Sequence, residues 1–178
     1  MGIEAFTPRD VSVDWLLTIH GSIAFRHPSD RWICIFELRT GTGYGKDNEQ
    51  RLDAWAMNMW PSSGLEKITY EFKISKSDFK SEIAKPNKRR KGMSLSNRFY
   101  FVTPPYLVDP DEIPAHCGLI WVDHLGQHEV VLTAPWRDTV GPTWAFLGSV
   151  YRRSVGQGKA LSGVPGSSLL DQEDGSGG

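Results

Sequence analysis

Lys67-Ile68-Thr69-Tyr70-Glu71-Phe72-Lys73-Ile74, running straight into Ser75-Lys76-Ser77-Asp78, is the stretch that decides how this chain is built. Residues 68–75 alternate with period two: Ile68, Tyr70, Phe72 and Ile74 leave one side, Thr69, Glu71, Lys73 and Ser75 the other. That spacing predicts a β-strand with one apolar and one polar face. Ser75 and Asp78 then stand three apart, the spacing of a capping box, so a helix is expected to start at Ser75. Phe79 and Ile83 would share its buried side, and it should end before Pro86.

Upstream, Pro61-Ser62-Ser63-Gly64 predicts a turn, preceded by a strand from Leu52 to Trp60. Gly41 to Gln50 is glycine-rich and polar and is expected to be a mobile loop, placed to close over a substrate. Trp32–Leu38 is a dense β-branched and aromatic run, hence a buried strand. Residues 11–20 predict a short helix with Val13, Leu16, Leu17 and His20 on its inner face, ended by a turn at His27–Asp30. Downstream, Phe99–Val102 predicts a strand, and Gly118–Val122 with Glu129–Leu132 predicts a hairpin around Leu125-Gly126-Gln127. A last helix is expected from about Pro142, with Trp144, Leu147 and Tyr151 facing inward. Residues 156–178 are rich in Gly, Ser and Asp and are expected to be a disordered tail behind a single domain spanning 1–155. The order helix, three-strand meander, helix, strand, strand pair, helix predicts an α/β (α+β) class: a single mixed sheet flanked by helices.

With 178 residues the chain suits one domain. Cys34 and Cys117 are its only cysteines and form no CxxC pair, which fits a reducing compartment. Glu4, Arg9 and Asp10 interrupt the N-terminus where a secretory signal needs an apolar run. No apolar stretch reaches ~18 residues, so no membrane partner is expected and the protein should be cytoplasmic. Gly41–Lys46 lacks the first glycine of a phosphate loop, and Lys46 is followed by Asp47 instead of Ser or Thr. His124 and His128 flank a hairpin turn and make a poor zinc pair. Of seven tryptophans, Trp55 and Trp60 lie where base stacking is worth watching.

Glu71 and Lys73 leave one face of their strand ~7 Å apart. A carboxylate and an ammonium on a half-buried strand are costly unless something uses them. Pairing through the Pro61–Gly64 turn sets residues near Asp53 across from 71–73, so three charged groups can converge. That trio suits phosphodiester hydrolysis: carboxylates are hard ligands for Mg²⁺, and a lysine can orient or deprotonate a water, or neutralise charge on the phosphorane. The net charge of the chain is −1, yet residues 66–98 hold ten basic against four acidic residues, a local +6. Lys88, Arg89 and Arg90 in that stretch are candidates for a clamp on backbone phosphates.

Asp53, then Glu71-Phe72-Lys73, resembles the signature of the PD-(D/E)XK nucleases. The wider context, Tyr70-Glu71-Phe72-Lys73-Ile74-Ser75-Lys76-Ser77-Asp78-Phe79 with Glu82-Ile83 and Pro86, is similar to the MmcB-like DNA-repair endonucleases and their phage relatives. Phe99–Val102, Pro104, Ile113-Pro114 and Gly118–Ile120 extend the likeness over about 30–135. Leu52 departs from the pattern by replacing the proline before the aspartate. The resemblance implies a restriction-endonuclease-like core and Mg²⁺ or Mn²⁺ held by Asp53, Glu71 and the Phe72 carbonyl. It also implies Lys73 as the catalytic lysine, Glu37 as a candidate further acidic residue, and Ser75 and Lys76 beside the substrate. DNA is the implied partner, in repair or phage DNA processing, with a homodimer as an option for cutting two strands. A catalytically inactive DNA-binding or recruitment module on the same fold is the alternative, and a phage structural protein a third.

Overall fold

A computed structural model describes residues 13–41 and 50–162 of the protein. Six strands form one sheet in the order β1 to β6: β1 (Trp32–Arg39), β2 (Arg51–Asn58), β3 (Lys67–Phe72), β4 (Arg98–Thr103), β5 (Gly118–Val122) and β6 (His128–Leu132). The β1–β2–β3 meander and the β5–β6 hairpin are antiparallel, whereas β3, β4 and β5 run parallel. A parallel return requires a crossover, and helices α2 (Lys76–Ile83) and α3 (Pro86–Ser94) supply it between β3 and β4. Helix α1 (Val13–Arg26) precedes the sheet and α4 (Trp144–Ser162) follows it. The fold is thus a single mixed sheet flanked by helices, of the α+β class.

Alternation along the strands splits the core into two layers. On one side Trp15, Ile19 and Ile23 of α1 cover Ala54, Ala56, Ile68, Tyr70, Phe72, Tyr100, Val102, Ile120 and Val122. On the other, Phe79 of α2 packs on Phe99, Phe101 and Leu119. Beside it, Phe146 of α4 packs on Ile35, Leu38, Leu52 and Trp55. The even residues of β3 therefore face α1 and its odd residues face α2 and α3, as the period-two pattern predicts.

Four expectations require correction. The buried stripe of α1 is Trp15, Ile19 and Ile23, while Leu16 and Leu17 are exposed; the Trp15 indole, donating to the Val122 carbonyl at 3.2 Å, sets the rotation of the helix. In α4, Trp144 is 89% exposed and Leu147 and Tyr151 also face outward, with Phe146, Ser149 and Val150 turned to the sheet. Helix α4 also continues through 156–162, where a disordered tail was expected; 163–178 lie outside the described residues. Pro86 both ends one helix and opens another. Because its missing N–H costs nothing at a first helical position, a second helix, α3, follows where the expected order had one, and Lys88–Lys91 lies within it.

Strand β1 contains one irregularity that bears on the site. Phe36↔Ala54 and Leu38↔Leu52 are paired, but Glu37 and Asp53 between them are not. Glu37 has a φ of 54°, uncommon for a residue with a side chain. Across it the strand changes phase: Ile33, Ile35 and Leu38 all join the α4-side core. The same reversal affects β2, whose Leu52 and Trp55 share that core while Ala54 faces α1.

Candidate active site

The β2–β3 ladder runs from Met57↔Lys67 to Ala54↔Tyr70, which leaves Asp53 across from Glu71 just past its end. A carboxylate there meets a backbone donor instead of a ladder partner: Asp53 Oδ2 accepts from the Phe72 N–H at 2.7 Å. The expected convergence of Asp53 with Glu71 is therefore present, and the backbone of β3 itself aims Asp53.

Lys73 extends the same face by one step. Its N–H donates to the Val102 carbonyl at 2.9 Å, so β4 holds the backbone at the end of the strand. Its Nζ donates to Glu71 Oε1 at 2.9 Å and lies 3.5 Å from Asp78 Oδ2 and 3.6 Å from Glu82 Oε2. The side chains of Lys73, Glu82 and Glu71 are only 5%, 3% and 14% exposed. Ser75 explains how α2 contributes: its hydroxyl accepts from the Asp78 N–H at 3.2 Å, capping the helix. Asp78 and Glu82, four apart, then share the helical face that turns back toward Lys73.

Three carboxylates thus surround one ammonium, the Glu71 and Glu82 pair with it buried and Asp78 half-exposed, and Asp53 adds a fourth negative charge beside Glu71. Burial pushes the Glu71 carboxyl up to about 7, the neighbouring Asp53 charge adds to this, and Lys73 only partly offsets it. Burial alone would lower the Lys73 ammonium, but Glu71, Glu82 and Asp78 outweigh it and hold Lys73 above its ordinary value. Glu71 as an anion lacks a sufficient counter-charge, whereas Lys73 as a cation does not. Among the described residues no three His, Cys, Asp or Glu side chains are arranged to hold a metal ion by themselves. Asp53 and Glu71 offer two hard carboxylates, the ligand type of an ion that keeps several waters.

The remaining predicted residues divide. Glu37 stays out of the cluster and pairs with Arg51 at 3.0 Å. Lys76 pairs with Glu112, and Ser75 is occupied as the α2 cap. Arg89, expected at a phosphate, is buried and donates to the Glu82 carbonyl at 2.6 Å, tying α3 to α2. Arg90 is exposed, while the side chain of Lys88 and the segment 42–49 lie outside the described residues. Trp55 is core: its indole donates to the Leu95 carbonyl at 3.1 Å and meets Phe146 edge-on. Trp60 is half-exposed beneath the Arg31 guanidinium.

Two residues near the site escaped sequence reading. Glu82 is named in the sequence only within the run that extends the family likeness, with no role at the site. His20 of α1 stacks on Phe36 with ring centres 4.4 Å apart and lies 5.6 Å from the Phe72 ring. Burial lowers its pKa and Glu37 opposes that; the helical spacing places it on the inner face of α1, as found, but assigns it no role.

Comparison with known proteins adds little beyond the architecture. No family model matches the chain, and no curated protein does. Among solved structures, a protein of unknown function from Silicibacter pomeroyi superposes with a TM-score of 0.60 at 19% identity, over 86% of this chain and 94% of that one. The likeness is to the fold alone.

Proposed function

We propose that Asp53, Glu71 and Lys73 form the catalytic centre of a metal-dependent endonuclease that hydrolyses DNA phosphodiester bonds on a restriction-endonuclease-like core. The observation that carries this reading is the pairing of Asp53 with a buried Glu71 whose charge Lys73 leaves incompletely compensated. Two like-charged carboxylates held together across a strand pair are stabilised by a divalent cation, and their oxygens match Mg²⁺ or Mn²⁺. Asp53, Glu71 and the Phe72 carbonyl would hold it. When bound, such an ion polarises a phosphate oxygen and lowers the pKa of a bound water.

The chain's own residues supply the rest. Lys73 is held protonated, so it orients a water or neutralises charge growing on the phosphate and does not take up the proton. Glu82 and Asp78 keep the ammonium in place independently of Glu71. The hydrogen bond from the Phe72 N–H keeps Asp53 oriented before any substrate arrives, which lowers the cost of reorganisation. Cleavage of supercoiled plasmid with Mg²⁺ or Mn²⁺ tests the proposal. Wild type should nick or linearise the plasmid and Glu71→Ala and Lys73→Ala should not; equal activity in all three folded proteins would remove the assignment.

A second reading, a DNA-binding or recruitment module without turnover, draws support from one observation. Lys73 is already matched by three carboxylates, an ion cluster able to persist without a metal. That module would show no Mg²⁺ or Mn²⁺ affinity dependent on Asp53.

A further inference from the structure

A second charged centre lies where the start of β2 and the end of β1 meet α4. A cavity of about 330 Å³ is lined there by Arg39, Arg51, Arg152, Arg153, Glu37 and Ser149, among others. Arg39 and Arg51 are direct cross-strand partners, an arrangement in which like charges repel. The next two guanidiniums come from consecutive positions on α4, and Arg153 is anchored by donating through Nε to the Phe36 carbonyl at 3.0 Å. Among the described residues, Glu37 is the one carboxylate lining the cavity, and it is paired with Arg51. Among the described residues, Arg39 and Arg152 have no acidic partner.

We propose that this pocket binds a phosphate of the nucleic-acid strand whose neighbouring segment lies over Asp53 and Glu71; the assignment of the strand rests on the nuclease reading above. Planar guanidinium forks match phosphate oxygens two at a time, which is the chemistry four converging arginines offer. Position favours a polynucleotide over a free anion. Arg51 is two residues before Asp53 on β2, ~7 Å along the strand, and Glu37 lies across from Asp53. Lys73 is outnumbered by Glu71, Asp78 and Glu82, with Asp53 beside Glu71, and this cluster by itself repels a phosphodiester backbone. A basic pocket one step away offsets that repulsion and fixes where the strand enters. The irregular backbone at Glu37 serves the same end, since the phase change there brings the end of β1 against α4.

The test is a fluorescence-anisotropy titration of a labelled DNA oligonucleotide with the full chain in EDTA, where no cleavage occurs. Arg39→Ala/Arg152→Ala should weaken binding about tenfold or more and flatten the salt dependence by about two charges. Arg31→Ala/Lys67→Ala removes the same charge from the opposite end of the β1–β2–β3 meander and should change binding less than about twofold. Thermal melts establish that both variants fold. Loss of binding equal in the two variants, unchanged binding in the first, or no binding by wild type would each overturn the pocket. An unlabelled 5′-mononucleotide should compete poorly; competition as strong as that of the oligonucleotide would overturn the strand assignment. Plasmid cleavage separates the two proposals. Arginine-dependent binding without metal-dependent cleavage retains the pocket and removes the nuclease, and cleavage with arginine-independent binding does the reverse.

Discussion

Tyr70 and Glu71 are neighbours on β3, yet they look into opposite kinds of interior. Tyr70 is fully buried beneath α1, and its hydroxyl meets His27 Nε2 at 2.6 Å. Burial, with Arg26 and His128 adding to it, lowers the His27 pKa to about 4, so this face holds a neutral hydrogen-bonded pair. Glu71, one residue on, sits in a cluster built around the Lys73 ammonium, where burial and the Asp53 charge push its own carboxyl up to about 7. Depth does not separate the two faces; the choice of partner does. A dry core tolerates a neutral polar pair at small net cost, whereas buried ions persist only with matched counter-charges. The α1 face serves stability, and the α2 face retains charge where β3 ends and a cap begins.

The largest effect that would break this contrast is on activity. Glu71→Gln should reduce metal-dependent plasmid cleavage about 10²–10⁴-fold, while Tyr70→Phe, one residue away, should change it by less than about threefold. Comparable losses in both would erase the distinction between the faces. Next in size, Lys73→Met should cost about 3–5 kcal/mol in a denaturant melt at pH 8, because Glu71 and Glu82 would be left buried without their cation. Adding Glu71→Gln should recover part of that loss.

The pH dependence of stability sharpens the comparison, because the two faces have opposite signs. Glu71 is raised, so the folded state keeps a proton that the unfolded chain has released. The stability it confers is fully present below the ordinary value of 4.5 and is lost as pH rises through about 7. His27 is lowered: its contribution is present above 6.5 and is lost as pH falls toward about 4. Both contributions change across the same window, from about pH 4 to about 7, with opposite slopes, so in EDTA they should largely cancel in the wild-type melting temperature. Glu71→Gln should remove the falling contribution and leave a melting temperature that rises with pH across that window, an effect of up to about 3 kcal/mol. The smallest effect is Tyr70→Phe, which should cost about 1–3 kcal/mol by leaving His27 Nε2 without its partner.

Local chemistry made part of this legible in the sequence. The alternation of β3, the Ser75 cap and the turn at Pro61–Gly64 are short-range signals, and together they place Asp53 opposite Glu71. Helix rotation was not legible, because α1 and α4 carry apolar residues on more than one side. Trp15, Leu16, Leu17 and Ile19 leave two candidate stripes, and only packing against Val122 and its neighbours chooses between them. Pro86 is compatible with both a stop and a start, and Arg89 looks like surface charge until α2 covers it. The role of Glu82 and the meeting of Arg39, Arg51, Arg152 and Arg153 depend on contacts far apart in sequence. No local pattern announces them.

The most direct test of the two faces is a calorimetric Mn²⁺ titration at pH 7.5 of wild type, Asp53→Asn, Glu71→Gln and Tyr70→Phe. Wild type and Tyr70→Phe should bind one ion alike, with affinity falling at least tenfold in Asp53→Asn and Glu71→Gln. No binding by wild type, or binding indifferent to Asp53 and Glu71, would contradict the assignment of β3's charged face as a metal-dependent catalytic site.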